Sequence, residues 1–132
     1  METFMNELSL QDFELFQMTI GEPSISVTRN GVTFSKSAII KLGKPEYVKL
    51  LIQHERKLAA VVRSTSEEEE AILFLSPQKK TISVRWNNRD LLNTLWQLMK
   101  WSPDGRYSIT GIYNHDLEAM IFDLKDYKLI GE

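Results

Sequence analysis

The 132 residues contain no cysteine, so neither a disulfide framework nor a thiolate metal site is available, and a reducing compartment fits. No apolar run approaches the roughly 20 residues of a membrane span. A basic start followed by an apolar stretch, the mark of a secretory signal, is also missing. These absences lead us to expect a cytoplasmic protein without membrane attachment. Histidine is scarce: His54 and His115 are the only two. Both fall in polar turns without further ligand types gathered nearby, so no metal is expected. Nucleophile elbow, phosphate-binding glycine loop and helical metal pair are all lacking. Asp104 and Asp116 have the plain roles of turn carboxylates. We therefore expect no cofactor and no enzymatic activity.

What the chain does have is 42% hydrophobic residues, enough to fill one core, as its length also suggests. The stretch from Gly31 to Gly43 reads as a strand running into a short helix. Val32 and Phe34 alternate with Thr33. Ser35 stands where its hydroxyl can cap the first turn, and Gly43 supplies a left-handed stop. Before it, Ser24–Arg29 alternates, and Asn30-Gly31 signals a tight hairpin. After it, Tyr47–Ile52 and Lys57–Arg63 flank the polar turn 53–56.

This unit of strand, strand, helix, strand, strand returns further along. Val84–Asn87 has the character of Val32–Ser35, with Asn87 in the capping place. Tyr107, Ile112, Ala119 and Ile121 answer Tyr47, Ile52, Ala59 and Val61 at an offset of 60. Ala71–Leu75 and Thr81–Trp86 flank residues 77–80 as the counterpart of the first hairpin, and Tyr107–Tyr113 with Leu117–Leu124 make the last one. The division expected is an acidic amphipathic arm at 1–22 and one pseudo-two-fold domain at 23–132. The domain holds repeat one (24–63), an acidic linker (64–70) and repeat two (71–124). Its fold class is α+β, mostly β.

Charge is distributed unevenly. Residues 1–22 carry −5, residues 23–63 carry +6 and residues 64–76 carry −4, whereas 77–132 carry +1. A basic module bracketed by acidic segments suggests an anionic partner. In the arm, Ser9-Leu10-Gln11-Asp12 resembles a capping signature, and Leu10, Phe13, Phe16 and Met18 form an apolar stripe. Phe13 and Phe16 are the candidate partner-binding residues. The helix at 88–100 is apolar over a broad arc, and Trp86, Trp96 and Trp101 are read as core.

The strings VTFSKSAIIKLG and LLIQHERKLAAVV resemble the AbrB/SpoVT/MazE group of small bacterial DNA-binding proteins. In that group, two chains interleave strands into one swapped-hairpin barrel. The resemblance implies an AbrB-like barrel built from both internal repeats of one chain, hence a monomer or weak dimer. It covers residues 24–63 directly. Ser35 replaces the group's usual proline, and Pro45-Glu46-Tyr47 replaces the Gly-Asp pair after the helix. The sequence also resembles small proteins of Gram-positive phages and mobile elements.

The function this resemblance implies is that of a DNA-binding transcriptional regulator of a phage or mobile element, binding duplex DNA through the basic first repeat. Arg29 and Lys36 stand near the group's contact positions, in the hairpin turn and on the short helix. Asn30, Lys41, Lys44, Arg85 and Arg89 complete the candidate DNA-binding set, while Ile39 and Ile40 occupy helix positions where basic residues are expected. The alternative is a protein-binding inhibitor or adaptor module, of phage or mobile-element counter-defence type, that acts on a host protein without DNA binding.

Overall fold

Serine 35 sets the local structure of the first half. In the computed structural model, which describes residues 9–13 and 21–130, its Oγ accepts the Ala38 N–H at 3.1 Å and so caps a helix. The same oxygen accepts the Ser24 N–H at 3.0 Å, fastening that cap to the start of a strand. Strand β1 (Ser24–Thr28) and strand β2 (Gly31–Phe34) lead into helix α1 (Lys36–Lys41). Strands β3 (Tyr47–Gln53), β4 (Leu58–Ser64), β5 (Ile72–Leu73) and β6 (Val84–Trp86) follow. Helix α2 (Arg89–Met99) then precedes β7 (Tyr107–Asn114) and β8 (Ala119–Leu129).

Among the described residues the fold is α+β and mostly strand. A single curled antiparallel sheet forms a half-barrel with the order β5-β3-β4-β8-β7-β1-β2-β6. No helix there is long and apolar enough to cross a membrane. Strand β1 pairs with both β2 and β7, and β2 pairs onward with β6. Period-2 alternation turns Ile25, Val27, Val32 and Phe34 inward, where they join Ile109, Met120, Phe122 and Leu124 in one core. Phe34 packs edge-on against Trp86, Phe74 and Phe122, at ring separations of 4.9, 5.0 and 6.3 Å. Each such buried side chain contributes roughly 1.5–3 kcal/mol of transfer free energy. Helix α2 inserts Leu92 and Leu95 into this core and ends at Lys100, whose φ of 57° forms a left-handed cap.

Several local expectations shift by one residue. The first hairpin closes Thr28 on Gly31, so its two-residue loop is Arg29-Asn30 rather than Asn30-Gly31. Gly31 is instead the first residue of β2, at φ 143°, and a Cβ there would lie 2.6 Å from the Trp86 carbonyl oxygen. The positive φ beside the turn and the contact with a distant strand therefore both call for glycine here. The cap of α2 is Asn88, whose Oδ1 accepts the Leu91 N–H at 2.9 Å, rather than Asn87. The turns of the two long hairpins span 54–57 and 115–118, which are 61 positions apart.

The larger correction concerns the hairpin expected from 71–75 and 81–86, which does not form. Strand β5 pairs with β3 instead, and the Phe74 and Leu75 N–H groups donate to the Glu46 and Pro45 carbonyls at 2.7 and 3.3 Å. The Phe74 ring is buried against Phe34 and Trp86, a gain that local pairing with β6 does not offer. The β7–β8 register shifts by three between Ile109 and Gly111, the extra residues lying on β8 between Phe122 and Tyr127. The acidic linker is anchored by Glu68, which accepts from Lys49 Nζ at 2.6 Å and from Ser64 Oγ at 2.8 Å. In the arm, Leu10–Asp12 forms one 3₁₀ turn capped by Ser9. Leu10 and Phe13 are exposed there, whereas Phe16 and Met18 lie outside the described residues.

Candidate nucleic-acid interface

The outer face of β6-β2-β1-β7 alternates with the core residues and is built of short hydroxyl side chains. Register places Arg85, Thr33, Ser26 and Ser108 side by side across four strands, and Lys128 of β8 opposite Ser108. Arg85 Nε donates to Thr33 Oγ1 at 3.3 Å, which lays the guanidinium along the sheet. Thr28 Oγ1 accepts the Asn30 N–H at 3.2 Å and holds the two-residue loop in shape.

At the loop end of this face an open cleft of about 550 Å³ is lined by Arg29, Asn30, Thr33, Arg85, Asp104 and Arg106, among others. Arg29 Nη2 lies 2.8 Å from Asp104 Oδ1, in a pair with two-thirds or more of both side chains exposed. Ser102 Oγ accepts the Asp104 N–H at 3.2 Å and steadies the loop that carries the carboxylate. Three arginines against one aspartate leave the cleft cationic. Guanidinium forks and hydroxyls are the groups that hydrogen-bond phosphate oxygens, and short side chains let a backbone approach the sheet closely.

The structure thus brings together three of the candidate residues, Arg29, Asn30 and Arg85. Lys36, Lys41, Lys44 and Arg89 do not line the cleft. Lys36 and Arg89 are exposed at the first positions of α1 and α2. Lys41 and Lys44 flank Gly43, beside which the Arg63 guanidinium lies 3.2 Å from the place of a glycine Cβ. Ile39 is fully buried, which accounts for an apolar residue at that helix position. Arg106 is the residue that sequence reasoning missed. It follows the turn Ser102–Gly105 as an ordinary loop cation, and only the pairing of β7 with β1 brings it beside Arg29. Phe13, from the other candidate set, is exposed; Phe16 lies outside the described residues.

Outside the cleft, two carboxylates are shifted. Glu68 is held below the usual carboxylate range by its hydrogen bonds from Lys49 and Ser64, and Lys49 is raised by Glu68. Asp123 is lowered chiefly by the hydrogen bond from Lys125. Compared with family models, curated proteins and solved structures, the chain matches none.

Proposed function

We propose that the chain is a DNA-binding regulator of AbrB-like design, with both swapped-hairpin units in one polypeptide, and that duplex phosphates dock on the Arg29–Arg85–Arg106 cleft. Phage or mobile-element regulation is the setting this reading favours. One observation carries it. If β1–β4 are exchanged with β5–β8, the six-strand run β5-β3-β4-β8-β7-β1 and the β2–β6 pair are both reproduced. The β1–β2 hairpin is seated between β7 and β6, strands of the other half, which is the arrangement a swapped-hairpin barrel requires. Buried Val48, Ala59 and Val61 then answer buried Ile109, Met120 and Phe122, each 61 positions on. The ring stays open only where β5 and β6 fail to pair.

The test is anisotropy of labelled duplex DNA across a salt series. Binding weak enough to require low salt is expected, with a dissociation constant on the order of 10⁻⁵ M at physiological salt. Arg29→Ala, Arg85→Ala and Arg106→Ala should each weaken it and flatten the log–log salt slope by about one. Asp104→Ala should strengthen it, because Asp104 competes with phosphate for Arg29, and so should removal of the acidic residues 1–22. Absence of any shift at low salt, or a triple arginine variant that binds as before, overturns the reading.

A second reading is favoured by Leu10 and Phe13, which are 88% and 60% exposed in the arm. It makes the chain a protein-binding module, and a salt-insensitive complex abolished by Phe13→Ser would support it.

A further inference from the structure

The outer face of β3-β4-β8-β7 differs from the hydroxyl face in that it carries an apolar row. Register aligns Leu51, Ala60, Ile121 and Ile112 across the four strands. Leu51 is 54% exposed and Ile112 is 73% exposed, so the row ends on two large apolar side chains in solvent. Two shallow depressions lie beside Ile121. One, of about 260 Å³, is lined by Leu51, Leu58 and Arg56 among others; the other, of about 440 Å³, by Ile112 and Asp126 among others.

The two halves of this face have opposite charge. Residues 47–64, the β3–β4 hairpin, hold four bases and one acid, for +3. Arg63 lies on the other side, beside Gly43, and Lys49 is paired with Glu68. Among the described residues, Arg56 and Lys57 therefore carry the free positive charge at this face. Residues 107–126, most of the β7–β8 hairpin, hold four acids and one base, for −3. Neither Arg56 nor Asp126 forms an ion pair among the described residues. A duplex would be repelled by the acidic half and would gain nothing from the apolar row.

We infer that this face is a self-association surface and that its occupant is a second copy of the same chain. A half-turn about an axis lying in the interface and parallel to the strands lays Leu51 near the partner's Ile112. The same rotation sets the basic hairpin over the partner's acidic one. The contact is isologous, so every complementary pair occurs twice. It needs no exchange of strands, and it shares no residue with the arginine cleft. Ile112 stands six residues along β7 from Arg106, or about 20 Å at strand rise, which leaves a cleft free on each copy. Opposite charges across the contact select its orientation, and salt weakens it.

Sedimentation equilibrium of the full chain at about 50 mM and about 500 mM salt tests this. A reversible dimer is expected, weaker at the higher salt. Ile112→Asp, at an exposed site that leaves the circular dichroism spectrum unchanged, should raise the dissociation constant about tenfold or more. Arg56→Glu and Asp126→Arg should each weaken the dimer, and the double variant Arg56→Glu with Asp126→Arg should recover it. If Ile112→Asp fails to fold, the charge-exchange series decides alone. A full chain that is monomeric up to about 1 mM, or a dimer indifferent to the charge exchange, overturns the inference.

Discussion

Strands β1 and β2 lie side by side across a loop of two residues, whereas β5 and β6, separated by residues 74–83, do not pair. The loop lengths alone do not explain the contrast. Closing ten residues rather than two costs only about 1.4 kcal/mol in chain entropy. Burying the Phe74 ring against Phe34 and Trp86 is worth roughly 2–3 kcal/mol, and the hydrogen bonds to Glu46 and Pro45 go with it. The longer loop lets Phe74 move to β3, and the burial makes that move favourable.

The sharpest way to break this contrast is through Phe34, which touches both sides of it. Phe34→Ala should cost about 3–5 kcal/mol in urea unfolding, because its ring packs against Phe74, Trp86 and Phe122. Phe74→Ala should cost about 3 kcal/mol and also free residues 71–75 from β3. Amide exchange should then quicken at Phe74 and Leu75 but not at Ile25 or Val27. Equal quickening on both sides would show that the closed and open hairpins are not independent.

Gly31 provides a smaller perturbation on the closed side. Gly31→Ala combines a disfavoured φ with a contact at 2.6 Å to backbone oxygen, so a loss of about 2 kcal/mol is expected by thermal unfolding. The caps compare the two helices directly. Ser35→Ala removes an acceptor used by two N–H groups and should cost about 1–2 kcal/mol, against about 1 kcal/mol for Asn88→Ala. Should Asn88→Ala prove the more costly, the Ser24–Ser35 link is not stabilising.

The smallest effect is expected at the clasp between Glu68 and Lys49. Glu68 is depressed in the folded state, so its contribution is fully present above the unfolded value of about 4.3. It is lost as pH falls through the lower folded value. Lys49 is raised, so its share is present below its unfolded pKa and lost as pH rises through the folded one. The Glu68 side-chain carboxyl resonance should therefore titrate below about pH 4.3, and Lys49→Met should move its titration back up toward that value.

Local signals were legible where one residue type answers to one local need. Ser35 as cap and Gly43 as a left-handed stop are both readable from neighbours in sequence. Reading failed where the deciding partner is far away. Gly31 answers to Trp86 as well as to the turn, Phe74 to Phe34, and Arg106 reaches the cleft because β7 pairs with β1. For the candidate site, Arg29 and Lys36 follow from the contact positions of the group the sequence resembles, and Arg85 and Arg89 from the second unit. The cleft gathers only the turn and strand members, Arg29, Asn30 and Arg85. Lys36, Lys41, Lys44 and Arg89 lie on or beside the helices, which the sheet register does not bring to that face.

The placement of the tryptophans has an optical consequence. All three indoles fall between residues 86 and 101, so intrinsic fluorescence observes the second half of the chain and, through Trp86 against Phe34, its seam with the first. Their ring N–H groups have no acceptor among the described residues. Trp101 is stacked on Tyr107 at 4.3 Å with planes 9° apart. That stacked pair should give the folded chain a near-ultraviolet dichroism band, and apolar surroundings should give it blue emission, both lost as α2 leaves the sheet. Loosening confined to β3 and β4 would reach Trp86, which shares a cavity with Leu50 and Ile52, and would leave the stacked Trp101–Tyr107 pair unmoved, so emission and dichroism together separate the two events.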